Sequence, residues 1–82
     1  MARKVTVIER KLKRERVLGQ VFFDDHLIEI EERLKPKAWL AVLVHEATHL
    51  AFPDASEAEV LKAERIIAGV LWNAGVRRVH LK

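Results

Sequence analysis

The sequence predicts a small α+β fold, in which two antiparallel helices pack on a mixed or antiparallel sheet of three to four strands. Three observations predict it. β-Branched side chains alternate with polar ones early in the chain, a long apolar segment follows a proline, and a segment with helical spacing follows a capping motif. The length of 82 residues predicts one domain, spanning residues 1–82.

Three short segments predict the strands. Residues 4–9 are β-branched and roughly alternating, residues 17–23 are mostly apolar, and residues 26–31 alternate cleanly. Gly19 marks a candidate bulge in the second segment. Because two aspartates separate the second and third segments, we expect these two to form a hairpin.

The alternation of the third segment predicts which side chains face the core. Ile28 and Ile30 are expected to point inward, and Glu29 and Glu31 to point outward, as in a half-exposed strand. If this strand lies at the edge of the sheet, it can pair with an extended peptide, and its outward carboxylates would weakly favour basic or neutral substrates.

A proline predicts the start of the first helix. Pro36 suits the first helical position, where a backbone N–H would have no partner. Residues 37–52 then form a segment that is apolar on almost all sides, which predicts a helix buried on most of its surface.

The second helix is predicted from its two ends. Ser56 followed by Glu59 fits a capping box, and Gly75 fits a left-handed cap. Residues 76–81 predict a closing strand. The expected inward stripe of the helix consists of Val60, Ala63, Ile67, Val70, Leu71 and Ala74.

Composition excludes several classes of protein. The chain is 50% hydrophobic and 33% charged, which is typical of a globular protein. It has no cysteine, which excludes disulfides and thiolate metal sites. No apolar run reaches the roughly 20 residues of a membrane span or the length of a signal-peptide core. The sequence therefore predicts a soluble, cytoplasmic domain without membrane partners, and its many charged and few amide residues are typical of thermophiles.

Charge is distributed unevenly along the chain. The net charge is +5 over residues 1–16, −6 over residues 17–64 and +4 over residues 65–82. The basic ends are interpreted first as solvated surface and second as a nucleic-acid patch. No aromatic residue lies among the first cations, so nucleic acid is not the favoured partner.

The apolar helix contains the motif His45-Glu46-Ala47-Thr48-His49. Residues four apart share one helix face, so His45 and His49 can bind one tetrahedral Zn²⁺. Glu46 lies to one side and can reach a water bound to the metal. Three ionisable groups inside an apolar helix are costly to bury without a partner, and a metal would satisfy all three. The composition of this chain gives about 0.02 such motifs by chance, and HExxH on a helix is a metallopeptidase signature.

A tetrahedral site needs a third protein ligand, which here must be histidine or a carboxylate. An antiparallel second helix would bring its first turn beside His49, which favours Glu57. Glu64 lies further along the same face, nearer the first histidine, as a ligand or as a residue that orients an imidazole. Glu59 has a capping role available, and Asp54 lies in the turn. The four remain alternatives, with Glu57 preferred.

Five segments carry a resemblance to a known family. They are Ile28-Glu29-Ile30, Val44-His45-Glu46-Ala47-Thr48-His49, Pro53-Asp54-Ala55-Ser56-Glu57, Leu71-Trp72 and Gly75-Val76-Arg77-Arg78. With these segments the chain resembles the zincin metallopeptidases of the gluzincin branch, in particular minigluzincins and phage-encoded and prokaryotic domains, and more distantly SprT-like proteins. The resemblance implies a zinc-dependent hydrolase of peptide bonds, with His45, His49 and Glu57 as metal ligands and Glu46 as general base.

The chain also departs from that pattern. The spacing from His49 to Glu57 is shorter than in large gluzincins, and there is no tyrosine to stabilise an oxyanion. The candidate substitutes are Arg77, Arg78, His80 and His26. An alternative function is a catalytically silent, zinc-stabilised module that binds nucleic acid or a partner protein through its basic ends. The small core also makes a homodimer possible.

Overall fold

The computed structural model describes residues 3–12 and 17–79, and these ranges form three strands and two helices. The elements are β1 (Thr6–Arg10), β2 (Gly19–Phe22), β3 (Leu27–Glu31), α1 (Pro36–Ala51) and α2 (Glu57–Asn73). This small α+β architecture confirms the predicted fold class. Neither helix is both long and apolar enough to cross a membrane.

The sheet is mixed, with the strand order β1-β3-β2. Strands β2 and β3 form the predicted antiparallel hairpin, and β1 pairs with β3 in parallel. Ile28 therefore has a neighbour on each side, Val7 in β1 and Val21 in β2. The prediction that residues 26–31 could serve as an edge strand is wrong, because β3 pairs with β1 on one side and with β2 on the other.

The central position of β3 also overturns the prediction that its glutamates point into solvent. Glu29 and Glu31 are 9% and 6% exposed. The carboxylate of Glu29 accepts a hydrogen bond from Gln20 Nε2 at 2.7 Å and lies 3.0 Å from Arg10 Nε. Flanking strands on both sides thus cover Glu29 and supply its polar partners, which an edge strand would not have.

Glu31 is held at the end of β3 by two segments. Its carboxylate accepts hydrogen bonds from the Arg33 side chain at 2.7 and 2.8 Å and from the Leu12 backbone N–H at 3.0 Å. Bonding to Arg33, more than any other contact, lowers the pKa of Glu31 to about 2. This carboxylate therefore stays ionised and ties the chain after β1 to the end of β3.

Helix α1 lies between the sheet and α2, because α2 contacts α1 and none of the three strands. The helix starts at Pro36 as predicted. It is less buried than its apolar sequence suggested, since Ala38, Ala47 and Ala51 are exposed. The buried core consists of Leu12, Ile28, Ile30, Leu40, Val44 and Val60.

Helix α2 has the predicted caps at both ends. The Ser56 side chain accepts from the Glu59 N–H, and the Glu59 carboxylate accepts from the Ser56 N–H. At the other end Gly75 has φ +91°, and the N–H groups of residues 75 and 76 bond to the carbonyls of residues 72 and 71. This pattern is a Schellman motif. It ends the helix.

Two predictions for this part of the chain are wrong. In the expected inward stripe, Ile67, Val70 and Ala74 are exposed, because α2 rests on one helix rather than in a groove between helix and sheet. Residues 76–79 form no strand. The rest of the predicted closing strand, His80 and Leu81, lies outside the described residues.

Candidate metal centre

The two motif histidines lie one helical turn apart in the second half of α1. Their ring centroids are 4.9 Å apart, in an edge-to-face arrangement. The side chains of His45 and His49 are 18% and 25% exposed, so both rings are half-buried and accessible from one side. The 3.6-residue repeat of the helix brings them to one face, as the spacing predicted.

Helix α2 places Glu57 against this face. The turn after α1 reverses the chain, and Glu57 is the first residue of α2. Its Oε1 lies 2.9 Å from His45 Nε2, and its Oε2 lies 3.1 Å from His49 Nε2. The Glu57 side chain is 62% exposed, so solvent reaches the place where the three groups converge.

These three side chains fit a metal ion. One ligand atom from each lies within 4.8 Å of the others. Ligands of a tetrahedral zinc with bonds of about 2.0–2.2 Å are roughly 3.3 Å apart, so small side-chain rotations would close the site. Two imidazoles and one carboxylate are also a ligand set that catalytic zinc accepts, with a fourth position left for water.

Glu64 makes a second contact to His45. Its Oε1 lies 2.9 Å from His45 Nδ1, on the side of the ring away from Glu57. A neutral imidazole carries one N–H and can donate to only one of these two carboxylates. With the proton on Nδ1, the lone pair of Nε2 faces Glu57, and a cation between these two atoms would satisfy both.

Glu46 lies beside the histidines and is half-buried. Burial is the main influence on its carboxyl group and raises its pKa. His45 and His49 oppose this effect, while the negative charges of Glu57 and Glu64 add to it. A carboxyl group with a raised pKa is better suited to accept and release a proton than one with an ordinary pKa.

Glu46 faces a cleft of about 350 Å³ between α1 and the start of β2. Its lining combines apolar side chains with the polar side chains of His45, Glu46 and Glu64. Its lining residues are Val17, Leu18, Gly19, Val42, His45, Glu46 and Glu64. A polar group in this cleft can therefore reach His45 and Glu46, whereas His49 and Glu57 do not line it.

Gly19 lets the backbone of β2 approach α1 closely. A Cβ atom at this position would lie 2.6 Å from Val42 Cγ1 and 3.0 Å from Glu46 Oε2. The pairing of β2 with β3 is continuous through Gly19 and Ile30, so the predicted bulge is absent. Sequence reasoning noticed this glycine and missed its role, which is to let the backbone of β2 lie close to Val42 and the Glu46 carboxylate.

The other candidate ligands lie elsewhere. Glu59 caps α2, and Asp54 lines a separate cavity of about 560 Å³ with Phe52 and Ile67. Neither belongs to the group of converging ligand atoms found among residues 3–12 and 17–79. Of the four carboxylates considered for the third ligand, the structure brings Glu57 to both histidines and Glu64 to one.

The candidates for an oxyanion stabiliser do not line the cleft in the described ranges. Arg77 stacks on the Trp72 ring at 3.5 Å. Arg78 forms an ion pair with Glu9, and His26 lines a groove beside β1. The fourth candidate, His80, lies outside the described residues.

No protein family, curated protein or solved structure matches the chain. Functional inference therefore rests on the residues of this site.

Proposed function

We propose that this protein is a zinc-dependent metallopeptidase, with His45, His49 and Glu57 as ligands and Glu46 as general base. The observation that carries the proposal is the convergence of two Nε2 atoms and one carboxylate, at 2.9 and 3.1 Å, beside a half-buried glutamate. Zinc bound there would supply a Lewis acid for the substrate carbonyl and would lower the pKa of water to about 7.

The residues of the chain supply the proton transfers. Glu46 accepts a proton from the attacking water at its carboxylate and donates it to the leaving amine. Glu64, hydrogen-bonded to His45 Nδ1, keeps the Nε2 lone pair of that ring directed towards Glu57.

The position of β2 supports a peptide as substrate. With β3 in the centre of the sheet, β2 is the edge strand that borders the cleft. An extended peptide that added to this edge would pass the Glu46 carboxylate, because Gly19 has no side chain to hold it away. Val17, Leu18 and Val42 would receive an apolar side chain of the substrate.

The test combines metal analysis with peptide hydrolysis. We expect one zinc per chain by native mass spectrometry, and cleavage of an unstructured polypeptide that a chelator abolishes. Glu46→Gln should keep the zinc and lose the cleavage, while Glu32→Gln, at an exposed glutamate outside the cleft, should keep both. A Glu46→Gln variant as active as the unmodified protein would remove Glu46 from its role.

A second candidate function is a structural metal in a binding module, and the packing of α2 favours it. Because α1 is the one described helix or strand that α2 contacts, a metal joined to Glu57 would clamp the two helices together. Of the cations in the basic ends, Arg10 and Arg78 are paired with Glu29 and Glu9, whereas Arg3, Lys4 and Lys11 are exposed. This candidate predicts that chelation lowers the melting temperature while no polypeptide is cut under any condition.

A further inference from the structure

Strand β1 forms the other edge of the sheet and leaves apolar side chains uncovered. Val5, Val7 and Ile8 are 40%, 42% and 40% exposed. Strand β1 pairs with β3 on one side, and no described residue pairs with it on the other. Exposed apolar edge strands are a template for pairing with another chain.

The backbone groups of β1 show which residues offer hydrogen bonds at this edge. The Thr6 N–H bonds to the His26 carbonyl, and the Arg10 carbonyl accepts from the Glu32 N–H. Even-numbered residues of β1 thus direct their N–H and C=O groups towards β3. Because these directions alternate along a strand, the groups of Val5, Val7 and Glu9 point outward.

An apolar groove of about 420 Å³ lies above this edge, on the α1 side of the sheet. Val7 of β1 and two residues that precede the strand, Arg3 and Val5, line one side of it, and α1 lines another. Its lining residues are Arg3, Val5, Val7, His26, Ile28, Leu43, Ala47, Leu50 and Ala51. Arg3 is therefore on the same face as Val5 and Val7, at the end of the edge opposite Glu9.

We propose that a second copy of this chain pairs with β1 in antiparallel orientation, with Thr6 on the two-fold axis. In this register Val5 lies opposite Val7 of the second copy, and the two exchange backbone hydrogen bonds. Arg3 lies opposite Glu9 of the second copy on the same face, so each dimer gains two cross-strand charge pairs. The interface is self-complementary, as a two-fold axis requires.

The neighbouring registers are less favourable. In a register shifted by one residue, each odd-numbered residue would lie opposite an even-numbered residue of the second copy. The backbone groups of that residue already bond to β3, so the two could not exchange hydrogen bonds. A two-fold axis on Val7 would place Lys4 opposite Arg10 of the second copy, which is a like-charge pair, and would place Glu9 opposite Val5. Only the axis at Thr6 matches the charges of Arg3 and Glu9.

The dimer would join two three-stranded sheets into one of six strands, ordered β2-β3-β1-β1-β3-β2. The candidate metal centre borders β2 at the far edge, so both clefts would stay open. The Glu9 side chain is 32% exposed beside Arg78, which leaves room for the arginine of the second copy. The proposal is independent of the proposed peptidase activity.

Cysteine cross-linking tests the register, since the chain has no cysteine of its own. Residues on the two-fold axis that do not exchange hydrogen bonds have Cα atoms about 4.5 Å apart, within the disulfide range of about 4.4–6.8 Å. We expect Thr6→Cys to form a disulfide-linked dimer under mild oxidation. Ile8→Cys should stay monomeric on a denaturing gel, because its two copies lie four residues apart along the strand, about 13 Å. Preferential cross-linking of Val7→Cys would overturn the proposed register.

Charge variants test the interface without oxidation. Sedimentation velocity over a hundredfold range of concentration should show a dimer for the unmodified protein and a dissociation constant at least tenfold weaker for Arg3→Glu. Lys62→Glu, at an exposed position of α2, a helix that does not contact β1, is the matched control and should leave dimerisation unchanged, with circular dichroism confirming that both variants fold. A monomer at all concentrations, or a complex with a different protein in place of the dimer, would overturn the proposal.

Discussion

Glu64 of α2 contacts the Nδ1 atom of His45 in α1 at 2.9 Å, across 19 residues of sequence. The contact is compatible with a proton on Nδ1 and a lone pair on Nε2, which faces Glu57. It also joins the two helices at a second point, beyond the one at Glu57. A residue outside the candidate ligand set therefore contacts one member of that set.

We predict that Glu64→Ala weakens zinc binding about 10–100-fold without abolishing it, the usual effect of removing the partner of a ligating histidine. A competition titration against a chromophoric chelator measures the affinity. Glu64→Gln, whose amide oxygen can still accept from Nδ1–H, should recover part of the loss. Zinc affinity unchanged in both variants would show that Glu64 does not position His45.

We predict that Glu57→Ala prevents tight binding of one zinc per chain, because two imidazoles alone leave the site without its third protein ligand. Asp54→Ala is the matched control, since that carboxylate lies in the same turn region but lines a separate cavity. Native mass spectrometry gives the stoichiometry for both. Loss of zinc in Asp54→Ala with retention in Glu57→Ala would reverse the assignment of the third ligand.

The candidate site could be predicted from the sequence more fully than the order of strands in the sheet. The motif spacing depends on helix geometry alone, and the position of Glu57 depends on one short turn. Both are local. The burial of Glu29 depends on which strands flank β3, and that order is set by a crossover between distant segments. Alternation of side chains identified a strand but could not place it in the centre of the sheet.

Acid sensitivity is predicted from Glu31, whose pKa is lowered from 4.5 to about 2 by its bonds to Arg33. A carboxylate with a lowered pKa stabilises the folded state above its unfolded pKa, and this contribution is lost as the pH falls. The free energy of unfolding should therefore decrease between pH 4.5 and pH 2. In Glu31→Gln this part of the decrease should be absent, as measured by urea denaturation at several pH values.

The control for this prediction is Glu32→Gln, at the exposed neighbouring position. It should retain the full pH dependence of the unmodified protein. If Glu31→Gln and Glu32→Gln gave the same pH dependence as the unmodified chain, the network of Glu31, Arg33 and Leu12 would not contribute to acid stability.

Replacement by alanine is expected to have opposite effects at Gly19 in β2 and at Gly69 in α2. Gly19→Ala would place a methyl group 2.6 Å from Val42 Cγ1 and 3.0 Å from the Glu46 carboxylate, so β2 or α1 must shift. Overpacking of this kind costs about 1–3 kcal/mol, and the shift would displace Glu46 from the cleft. Gly69→Ala, within α2, meets no atom within 4 Å and should stabilise the protein by about 0.5–1 kcal/mol. Thermal unfolding and peptide cleavage measured on both variants separate the cases. A Gly19→Ala variant of unchanged stability and activity would show that β2 does not need to approach Glu46 closely.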